Sequence, residues 1–530
     1  MRVSAVGCGM ALVLSGLRLN GEPQAVVSFR PNILPAADLF TNGALIRLNL
    51  DITDSNLDFL RKESREFVAA SVTEKEKTYT NVAIHLKGSI GSFRPIDNKP
   101  SWTLDFSRFS PGQKFHGLRR IHLNNSVEDP SYCNERLGSE LFRAAGVPAP
   151  RVTRAIVILN SRPLGLYVLK EGFTEDFLSC YFPHPSGNLY EPDEGHDVHQ
   201  RLKRNSVQAP RNDRAGLRTL AEAVLDPDYQ HRWRRLEQVL STDEVISFVA
   251  MEIIVCHRDG YSLARNNFRL YEDLDSGKIS FFPHGMDQLW GNPEAPWRPL
   301  MSGLAARAML ETPEGKNLYG ERMRTLVTNL LRPDFLGSRI DQLVQELHPI
   351  GAGEFITIQK EAFQLKERIK QRRESLDFQL SQPEPKIVSF DRGSIQLQGW
   401  IKSDEPSKGS MERCKSPDGK FALHIVTRSD IAASWRTKVL LNRGLYRFEG
   451  QAMVSGVKPL PFGLHQGAGL RVGGNTRQSQ NLVAETPWQI LKADFEVEKD
   501  STEAELICEL RAAAGEAWFD EASLKLVRIR

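Results

Sequence analysis

Polar and apolar residues alternate along the first third of the chain, in the pattern of strands that bury one face. The alternation covers residues 44–51, 79–87, 155–160 and 164–171, and successive side chains of a strand point to opposite faces. Between these segments, apolar residues fall on one helical face from Asn134 to Ala145. The pattern predicts a β-rich beginning with one packed helix.

Helical spacing replaces the alternation in the middle of the chain. The charged run 212–240 has a helical period, and Ser241 to Glu244 has the sequence of a capping box before the apolar run 245–255. Alternating residues at 267–282 predict a hairpin, and helical spacing returns from 303 to 380. We therefore expect a mainly helical second part that contains one hairpin.

Two prolines, Pro383 and Pro385, end the last predicted helix, because proline cannot continue one. We predict a domain from 26 to 380, a linker at 381–388 and a second domain from 389 to 530. Short alternating segments separated by turns predict that the second domain is an all-β sandwich. These segments are 422–427, 444–452, 488–497, 504–511 and 523–527.

The first residues have the character of a short secretory signal. Arg2 precedes an apolar stretch from Val3 to Leu17, and a polar turn follows it. The stretch is shorter than the roughly 20 apolar residues of a membrane span, and no later segment reaches that length. We predict a signal segment at 1–25, an extracellular, periplasmic or cell-surface location, and no integral membrane association. The alternative is a hydrophobic first strand.

Composition narrows the classes of function. The 530 residues include 69 Lys and Arg against 66 Asp and Glu, a net charge of +3, and 40% are hydrophobic. This is typical of soluble globular domains, and so balanced a charge predicts no nucleic-acid partner. The six cysteines are far apart and include no C-x-x-C pair, which argues against structural zinc.

Two features of the β-rich part could contact a phosphate. Gly88 and Gly91 form a G-x-x-G pair between two predicted strands; such a pair is either an ordinary turn or a loop whose backbone N–H groups face phosphate. Lys99 begins the next predicted strand, where its ammonium group is either solvated or paired with phosphate.

Three further residues could act in phosphate chemistry. Asp259 closes the apolar helix, where a carboxylate is unfavourable beside the helix dipole, and it could instead accept a hydroxyl proton. Asp287 follows an apolar strand and is either a loop cap or a magnesium ligand. Asn267 begins the preceding strand and could supply a second oxygen.

Taken in order, these segments resemble the CotH kinase family, which is named for a spore-coat protein and is related to atypical, protein-kinase-like phosphotransferases. The resemblance spans roughly residues 44 to 380. It depends on HLKGSIGSFR at 85–94, KPSWTLDF at 99–106, the D-x-S-x-x-x-E-R run at 129–136, LNSRPLGLYVLKEG at 159–172, and the segment 257–291 from HRDGYSLARNNFRLY to PHGMDQLWG.

The resemblance implies an α+β fold with two lobes, like a protein kinase, and ATP bound between a β-rich lobe and a helical lobe. It implies that Lys99 contacts the ATP phosphates and pairs with Glu171, that Asp259 is the catalytic base, and that Asn267 and Asp287 bind Mg²⁺ or Mn²⁺. Gly88 and Gly91 would lie at the nucleotide. Phosphoryl transfer needs mainly positioning and charge neutralisation, which these groups could provide.

The sequence departs from the family pattern at one position. The family often has D-x-D after the hairpin, whereas Gly285 occupies the first of these positions and only Asp287 is retained. The loss of one carboxylate could weaken magnesium binding or mark a protein that binds nucleotide without transferring phosphate.

The C-terminal domain resembles jelly-roll carbohydrate-binding modules, in which aromatic side chains stack on sugar rings. Trp435, Trp488 and Trp518 are the candidates, and because Trp518 and Phe519 alternate on one strand, at least one of those two belongs to the core. A glycan or a protein is therefore a candidate partner of this domain.

From the sequence, we expect an exported ATP-dependent protein kinase of the CotH type. It would transfer the γ-phosphoryl group of ATP to a hydroxyl group of a protein substrate and carry an accessory β-sandwich. The alternative is a catalytically inactive, kinase-like surface scaffold. A glycoside hydrolase would need a pair of carboxylates across a sugar cleft, and only the sandwich points in that direction.

Overall fold

The computed structural model describes residues 34–41, 45–200, 202–204, 214–382, 386–390, 393–406, 408–460, 466–473, 479–498 and 502–530. The chain divides into two compact units, 1–382 and 383–530. The division falls inside the segment predicted as a linker. The predicted signal segment, 1–25, lies outside the described residues.

The first unit begins with a closed seven-stranded barrel. Its strand order is β1-β2-β3-β4-β5-β7-β6, and a parallel pairing of β1 with β6 closes it, whereas the other neighbours are antiparallel. Alternate side chains fill its interior, as the strict alternation of buried and half-buried residues along β2 illustrates. The strands are β1 (Ile46–Asp51), β2 (Val68–Glu74), β3 (Lys77–Lys87), β4 (Ser101–Asp105), β5 (Arg120–Asn124), β6 (Val152–Leu159) and β7 (Arg162–Glu171).

The rest of the first unit is mainly helical and holds the larger apolar core. A four-stranded sheet of order β11-β10-β8-β9 lies within it. Its strands are β8 (Asn188–Glu191), β9 (Lys203–Arg204), β10 (Phe268–Asp273) and β11 (Lys278–Pro283). The helices of the unit are α1 (Ala37–Thr41), α2 (Asp54–Lys62), α3 (Asn134–Ala144), α4 (Glu175–Leu178), α5 (Ala215–Val224), α6 (Tyr229–Val239), α7 (Thr242–Ile254), α8 (Tyr261–Ala264), α9 (Leu304–Leu310), α10 (Pro313–Asn329), α11 (Pro333–Gln345) and α12 (Ala352–Ser381).

The second unit consists of strands apart from one short 3₁₀ turn, Glu521–Ser523, in its described part. Strand β20 links its two layers, since residues 502–512 pair with β16 and residues 512–520 pair with β15 and β17. Alternate residues of these strands form one apolar core. The strands are β12 (Ser394–Gln396), β13 (Ile401–Ser403), β14 (Gly409–Lys415), β15 (Phe421–Thr427), β16 (Ile431–Leu441), β17 (Gly444–Pro459), β18 (Gly467–Val472), β19 (Ala484–Val497), β20 (Thr502–Asp520) and β21 (Lys525–Arg528).

The predicted fold class is confirmed: an α+β unit, β-rich at first and then mainly helical, precedes an all-β unit. The pattern did not predict β2, because its alanines and serine weaken the alternation. The single helical run expected at 212–240 is two helices, separated where Asp228 caps α6 by accepting a hydrogen bond from the His231 N–H.

The capping box expected at the start of α7 does not form. Ser241 is the N-cap residue, but its side chain makes no capping hydrogen bond. The Glu244 side chain instead bonds with Ser280, and burial raises its pKa to about 8. The helix is stabilised by its packing, since every residue from Val245 to Ile254 is buried.

Two of the three tryptophans considered for sugar stacking are buried. Trp435 is 4% exposed and donates its indole N–H to the His424 carbonyl oxygen, and Trp518 is 7% exposed and stacks on the His424 ring. Trp488 is partly exposed, with its indole N–H bonded to Asp418 and Lys420 over one ring face. Stacking on a sugar is thus open to Trp488 and closed to the other two.

Among the helices in the described part of the chain, none is both long and apolar enough to cross a membrane.

We expect a chain that ends at Gln382 to fold without the sandwich, because each unit has an apolar core of its own residues. Residues 1–382 should elute as one species in size-exclusion chromatography and unfold in a single cooperative transition. Aggregation of this shortened chain, with the full chain soluble under the same conditions, would contradict independent folding.

Candidate active site

One outer face of the barrel carries a row of basic and polar side chains. The register places His122 of β5 beside Lys170 of β7 and Thr103 of β4, and residues paired side by side in a sheet share a face. Lys87, at the end of β3, lies on this face as well, since its ammonium group donates to Asn124 Oδ1 at 2.6 Å. The neighbouring leucines of the same strands fill the barrel interior.

Lys170 forms a buried ion pair with Glu135. Its Nζ lies 2.6 Å from Glu135 Oε1, and the two side chains are 0% and 2% exposed. Glu135 belongs to the first turn of α3, and its other oxygen accepts a hydrogen bond from the Met286 N–H. Lys170 also donates to His284 Nδ1 at 3.2 Å. The pair thus ties the barrel to α3 and to the segment that follows β11.

The predicted pairing of Lys99 with Glu171 does not occur. Glu171 accepts three hydrogen bonds from the Arg151 guanidinium group, in an ion pair with a shortest N–O distance of 2.6 Å. Lys99 lies before β4 and donates to the Tyr132 hydroxyl at 2.7 Å. The error has a simple cause: adjacent residues of β7 point to opposite faces, so Lys170 reaches the polar row and Glu171 does not.

The D-x-S-x-x-x-E-R run at 129–136 forms the turn before α3 and the first residues of that helix. Asp129 accepts hydrogen bonds from the backbone N–H groups of Ser131 and Asn134, and burial raises its pKa to about 6. Arg136 forms ion pairs with Glu140 and with Glu346. Each charged residue of the run therefore fixes the helix that presents Glu135. This run is part of the family resemblance, but the sequence alone does not single out Glu135 within it as a functional residue.

Burial and the positive charges of this row lower the pKa values of several of its titratable side chains. Burial, and then the charge of Lys170, lower the pKa of Lys87 to about 7. Burial and the neighbouring lysines hold the pKa of His122 and of His284 well below the ordinary value. Both imidazoles are therefore neutral at pH 7, and a pKa of about 7 leaves Lys87 only partly protonated at that pH.

The glycine-rich turn continues directly from Lys87. Gly88 and Gly91 have φ of 114° and 90°, which favour glycine, and a Cβ on Gly88 would lie 3.0 Å from the Phe93 Cα. Within the turn the Phe93 N–H donates to the Ser89 carbonyl oxygen. Both predicted glycines are thus required by the backbone of a turn that begins at the basic row.

Asp259 and Asn267, which the sequence assigns separate roles in the site, are in direct contact. Asn267 Nδ2 donates to Asp259 Oδ2 at 2.6 Å, and Asn266 Nδ2 lies 3.2 Å from both carboxylate oxygens. All three residues are partly exposed. Two amides therefore hold the carboxylate in place while leaving it accessible.

A buried glutamate supports the loop that carries Asp259. Glu252, in α7, accepts hydrogen bonds from the N–H groups of Tyr261 and Ser262, each at 2.8 Å. Its Oε1 lies 3.6 Å from Nδ1 of His257, and although burial opposes the charged imidazole, Glu252 raises the pKa of His257. His257 Nε2 lies 3.2 Å from the Gly285 carbonyl oxygen, which links this loop to the segment that contains Asp287.

Asp287 lies in the same charged region. Burial and the charge of Glu135 raise its pKa, while Lys170 and Lys87 act in the opposite direction. Its carbonyl oxygen accepts a hydrogen bond from the Asn134 side chain at 2.8 Å. Asp287 therefore faces the lysines from the helical side of the unit.

The structure explains why position 285 is glycine. Gly285 has φ of 54°, and a Cβ at this position would lie 2.3 Å from Asn267 Oδ1. The Asn267 amide oxygen thus occupies the space that a side chain at 285 would need. A carboxylate at 285 and the observed position of Asn267 exclude each other.

The oxygen atoms of Asp287 and Asn267 are suitable for a hard cation. The Asn267 amide nitrogen donates a hydrogen bond to Asp259, so the Asn267 Oδ1 is turned toward the segment 284–287. Mg²⁺ in nucleotide sites takes one or two carboxylates, with the remaining ligands from phosphate and water. The residues present therefore fit such an ion.

A family model described as "CotH kinase protein" matches residues 84–376, which is more than half of the chain. The chain belongs to the CotH kinase family. The match contains Lys87, the glycine-rich turn, the Lys170–Glu135 pair, and the residues Asp259, Asn267 and Asp287, and it confirms the resemblance.

Similarity to individual CotH relatives is low. The chain is 22% identical over 232 residues to "Invasin CotH2" of Rhizopus delemar, in an alignment that covers 40% of this chain and 38% of that protein. It is 23% identical over 206 residues to "Inner spore coat protein H" of Bacillus subtilis, covering 36% and 55%. The alignments thus span about half or less of these relatives.

Solved structures are similar at low TM-scores. One is the Helicobacter pylori proinflammatory kinase CtkA, with a TM-score of 0.27, 7% identity, and coverage of 55% of this chain and 96% of that chain. Another is the module TmCBM61 in complex with β-1,4-galactotriose, with a TM-score of 0.18, 17% identity, and coverage of 24% and 88%.

We predict that Gly285→Ala destabilises the protein more than Gly277→Ala. Both glycines have positive φ, 54° and 69°, so both variants lose about 1–2 kcal/mol to the left-handed backbone. Nothing lies within 4 Å of a Cβ at 277, whereas a Cβ at 285 displaces Asn267, and such overpacking typically costs a further ~1–3 kcal/mol. Denaturant unfolding measures both losses, and equal losses would contradict the steric role of Asn267.

Proposed function

We propose that this chain is an exported, ATP-dependent protein kinase of the CotH type that transfers the γ-phosphoryl group of ATP to a protein hydroxyl. The observation that carries the proposal is the buried Lys170–Glu135 pair in one unit with the Asp259–Asn267 pair and Asp287. These are the parts that phosphoryl transfer requires: fixed positive charge, oxygens for a metal, and a carboxylate for the nucleophile.

Lys170 and Lys87 take the phosphate-binding role that the sequence analysis gave to Lys99. Lys170 is held by Glu135, which fixes the position of its charge, and Lys87 begins the glycine-rich turn. The phosphates of ATP would bind against these lysines and the turn at Gly88 and Gly91. The lowered pKa of Lys87 follows from burial and crowding of positive charge, so a polyphosphate would return Lys87 to its protonated form.

Asp287 and the Asn267 amide oxygen would hold Mg²⁺ or Mn²⁺, which when bound neutralises charge on the phosphates. Asp259 is the general base. As the bond between the γ-phosphorus and the β,γ-bridging oxygen breaks, the acceptor hydroxyl forms the new P–O bond, its proton passes to Asp259, and ADP leaves. Asn266 and Asn267 orient Asp259 for this step.

We assign the β-sandwich an accessory role in binding a glycan or the protein substrate. Partly exposed Trp488 and the 66% exposed Phe421 are the aromatic side chains available for such contacts. A surface or extracellular location is supported by the relatives, which are named as invasins and as an inner spore coat protein.

The second candidate function is an inactive surface scaffold. Gly285 favours it, because Asp287 is left as the single carboxylate of the segment and the Asn267 amide fills the vacated space. A scaffold of this kind would keep the lysine–glutamate pair for stability and would have no need of phosphoryl transfer.

We predict that Asp259→Asn abolishes phosphoryl transfer and leaves ATP binding nearly unchanged, since Asp259 acts on the acceptor hydroxyl. General-base loss typically costs ~10²–10⁴-fold in rate. The measurement is transfer of label from γ-labelled ATP, with Mg²⁺ or Mn²⁺, to the protein itself and to a generic protein acceptor. Asp275→Asn, an exposed carboxylate of the β10–β11 turn, is the matched control and should transfer as the unchanged protein does.

Equal transfer by Asp259→Asn and the unchanged protein would remove Asp259 from the mechanism. No transfer by the unchanged protein, together with no ATP-dependent rise in melting temperature, would favour the scaffold.

We predict that Lys170→Met weakens ATP binding and transfer at least about tenfold, whereas Lys99→Met changes either by less than about twofold. Lys170 is paired inside the charged row, and Lys99 contacts the Tyr132 hydroxyl away from it. ATP-dependent melting shifts and labelled transfer should be measured for both variants. The reverse order of effects would restore Lys99 to the role predicted from sequence.

A further inference from the structure

Three potential metal ligands, Glu412, Cys414 and His424, lie together on the sandwich, in the other unit from the candidate active site. The register places Glu412 of β14 beside His424 of β15, and Glu516 of β20 beside Val426 of β15. Cys414 follows Glu412 by two residues and shares its face. The residues that alternate with them, among them Leu423 and Ala517, belong to the apolar core, so the three ligands and Glu516 lie on the opposite, outer face of this sheet.

The ligand atoms of this cluster are close together. One ligand atom each from Glu412, Cys414 and His424 lies within 4.8 Å of the others, and within the described residues this is the one such group of histidine, cysteine and carboxylate side chains. Glu516 is not part of this group; its Oε2 lies 3.1 Å from His424 Nε2 and holds the ring from its other nitrogen. In a tetrahedral zinc site the ligand atoms are about 3.5 Å apart. An inward movement of about 1 Å, which the exposed Glu412 can make, would bring the three ligand atoms to that spacing.

His424 is held rigidly and one of its nitrogens is unsatisfied. Its side chain is 10% exposed and its ring stacks on Trp518, with the centroids 4.6 Å apart. Nδ1 is buried and has no hydrogen-bond partner among the described residues. A buried polar atom without a partner is costly, and an imidazole nitrogen is a ready metal ligand.

The electrostatics of the cluster favour a bound dication. Glu412 and Glu516 place two carboxylates near the side chains of His424 and Cys414. A divalent ion would stabilise the Cys414 thiolate and offset the negative charge of these carboxylates. Thiolate and imidazole favour zinc over the hard, oxygen-seeking magnesium and calcium ions.

We propose that Glu412, Cys414 and Nδ1 of His424 bind a zinc ion on the outer face of the sandwich, with water as the fourth ligand and Glu516 fixing the His424 ring through Nε2. The absence of a C-x-x-C pair, which argued against zinc in the sequence, does not apply here, since the ligands come from two adjacent strands. The ion would connect the edge strand β14 to β15. The site is independent of the phosphotransferase function proposed above.

The test uses the full chain, freed of metal by a chelator and then titrated with Co²⁺ and with Zn²⁺. Cobalt bound to Cys414 should give the ultraviolet absorption band of a cobalt–thiolate bond, and zinc should abolish this band by displacement. Bound zinc is counted by elemental analysis after desalting. We expect one zinc ion per chain that is lost in Cys414→Ser, and at least about a tenfold weaker affinity in Glu412→Gln.

Glu503→Gln is the matched control, because Glu503 is a half-exposed carboxylate of β20 that pairs with Lys438; it should bind zinc as the unchanged chain does. Glu412→Gln changes an exposed side chain and so tests the site even if Cys414→Ser folds poorly. The absence of a cobalt–thiolate band, or a band of unchanged strength in Cys414→Ser, would overturn the proposal. A cation bound at Asp287 gives no thiolate band, so the two sites are distinguishable.

Discussion

The candidate site depends on one buried ion pair, between Lys170 on the barrel and Glu135 at the start of α3. Two charged groups that are removed from water are stable only when they pair with each other and make further hydrogen bonds. Loss of one partner leaves an uncompensated buried charge. Both conditions are met, since Glu135 also accepts the Met286 N–H and Lys170 also donates to His284. The barrel, α3 and the 284–287 segment are thereby fixed relative to one another within the first unit.

A second constraint acts on the opposite side of the charged row. The loop of Asp259 and the segment of Asp287 are joined by His257 and by the close approach of Asn267 to Gly285. The glycine that removes one acidic side chain from the family pattern is also the residue that admits the Asn267 amide oxygen. The departure at 285 therefore has two effects: one carboxylate is lost, and the Asn267 amide oxygen fills its position. The active-kinase and scaffold interpretations differ on whether this amide oxygen is sufficient as a metal ligand.

Much of the fold was accessible from sequence because the barrel strands, α7 and the sandwich strands have clear periodicity. The sequence also assigned Asp259 and Asn267 to one site, although it did not predict that their side chains are in contact. The Lys170–Glu135 pair was not found, because it joins a strand to a helix that lies 35 residues earlier. Glu171 was predicted from sequence to be the carboxylate partner of Lys99, but adjacent residues of a strand point to opposite faces, and Lys170, not Glu171, lies on the face of the polar row. Likewise, Gly285 could be noted as a departure, but the sequence does not show what fills the space.

The closure of the barrel has a consequence for where the family domain begins. The family match starts at residue 84, within β3, whereas β1, β2 and the first part of β3 precede it. Because β1 pairs with β6 on one side and β2 on the other, a protein that began at residue 84 would have an open sheet. Two unpaired strand edges would then be exposed on the lobe that carries Lys87 and Lys170, and such edges recruit strands from other molecules. The stretch before the match is thus the part of this chain that closes the barrel and covers those strand edges.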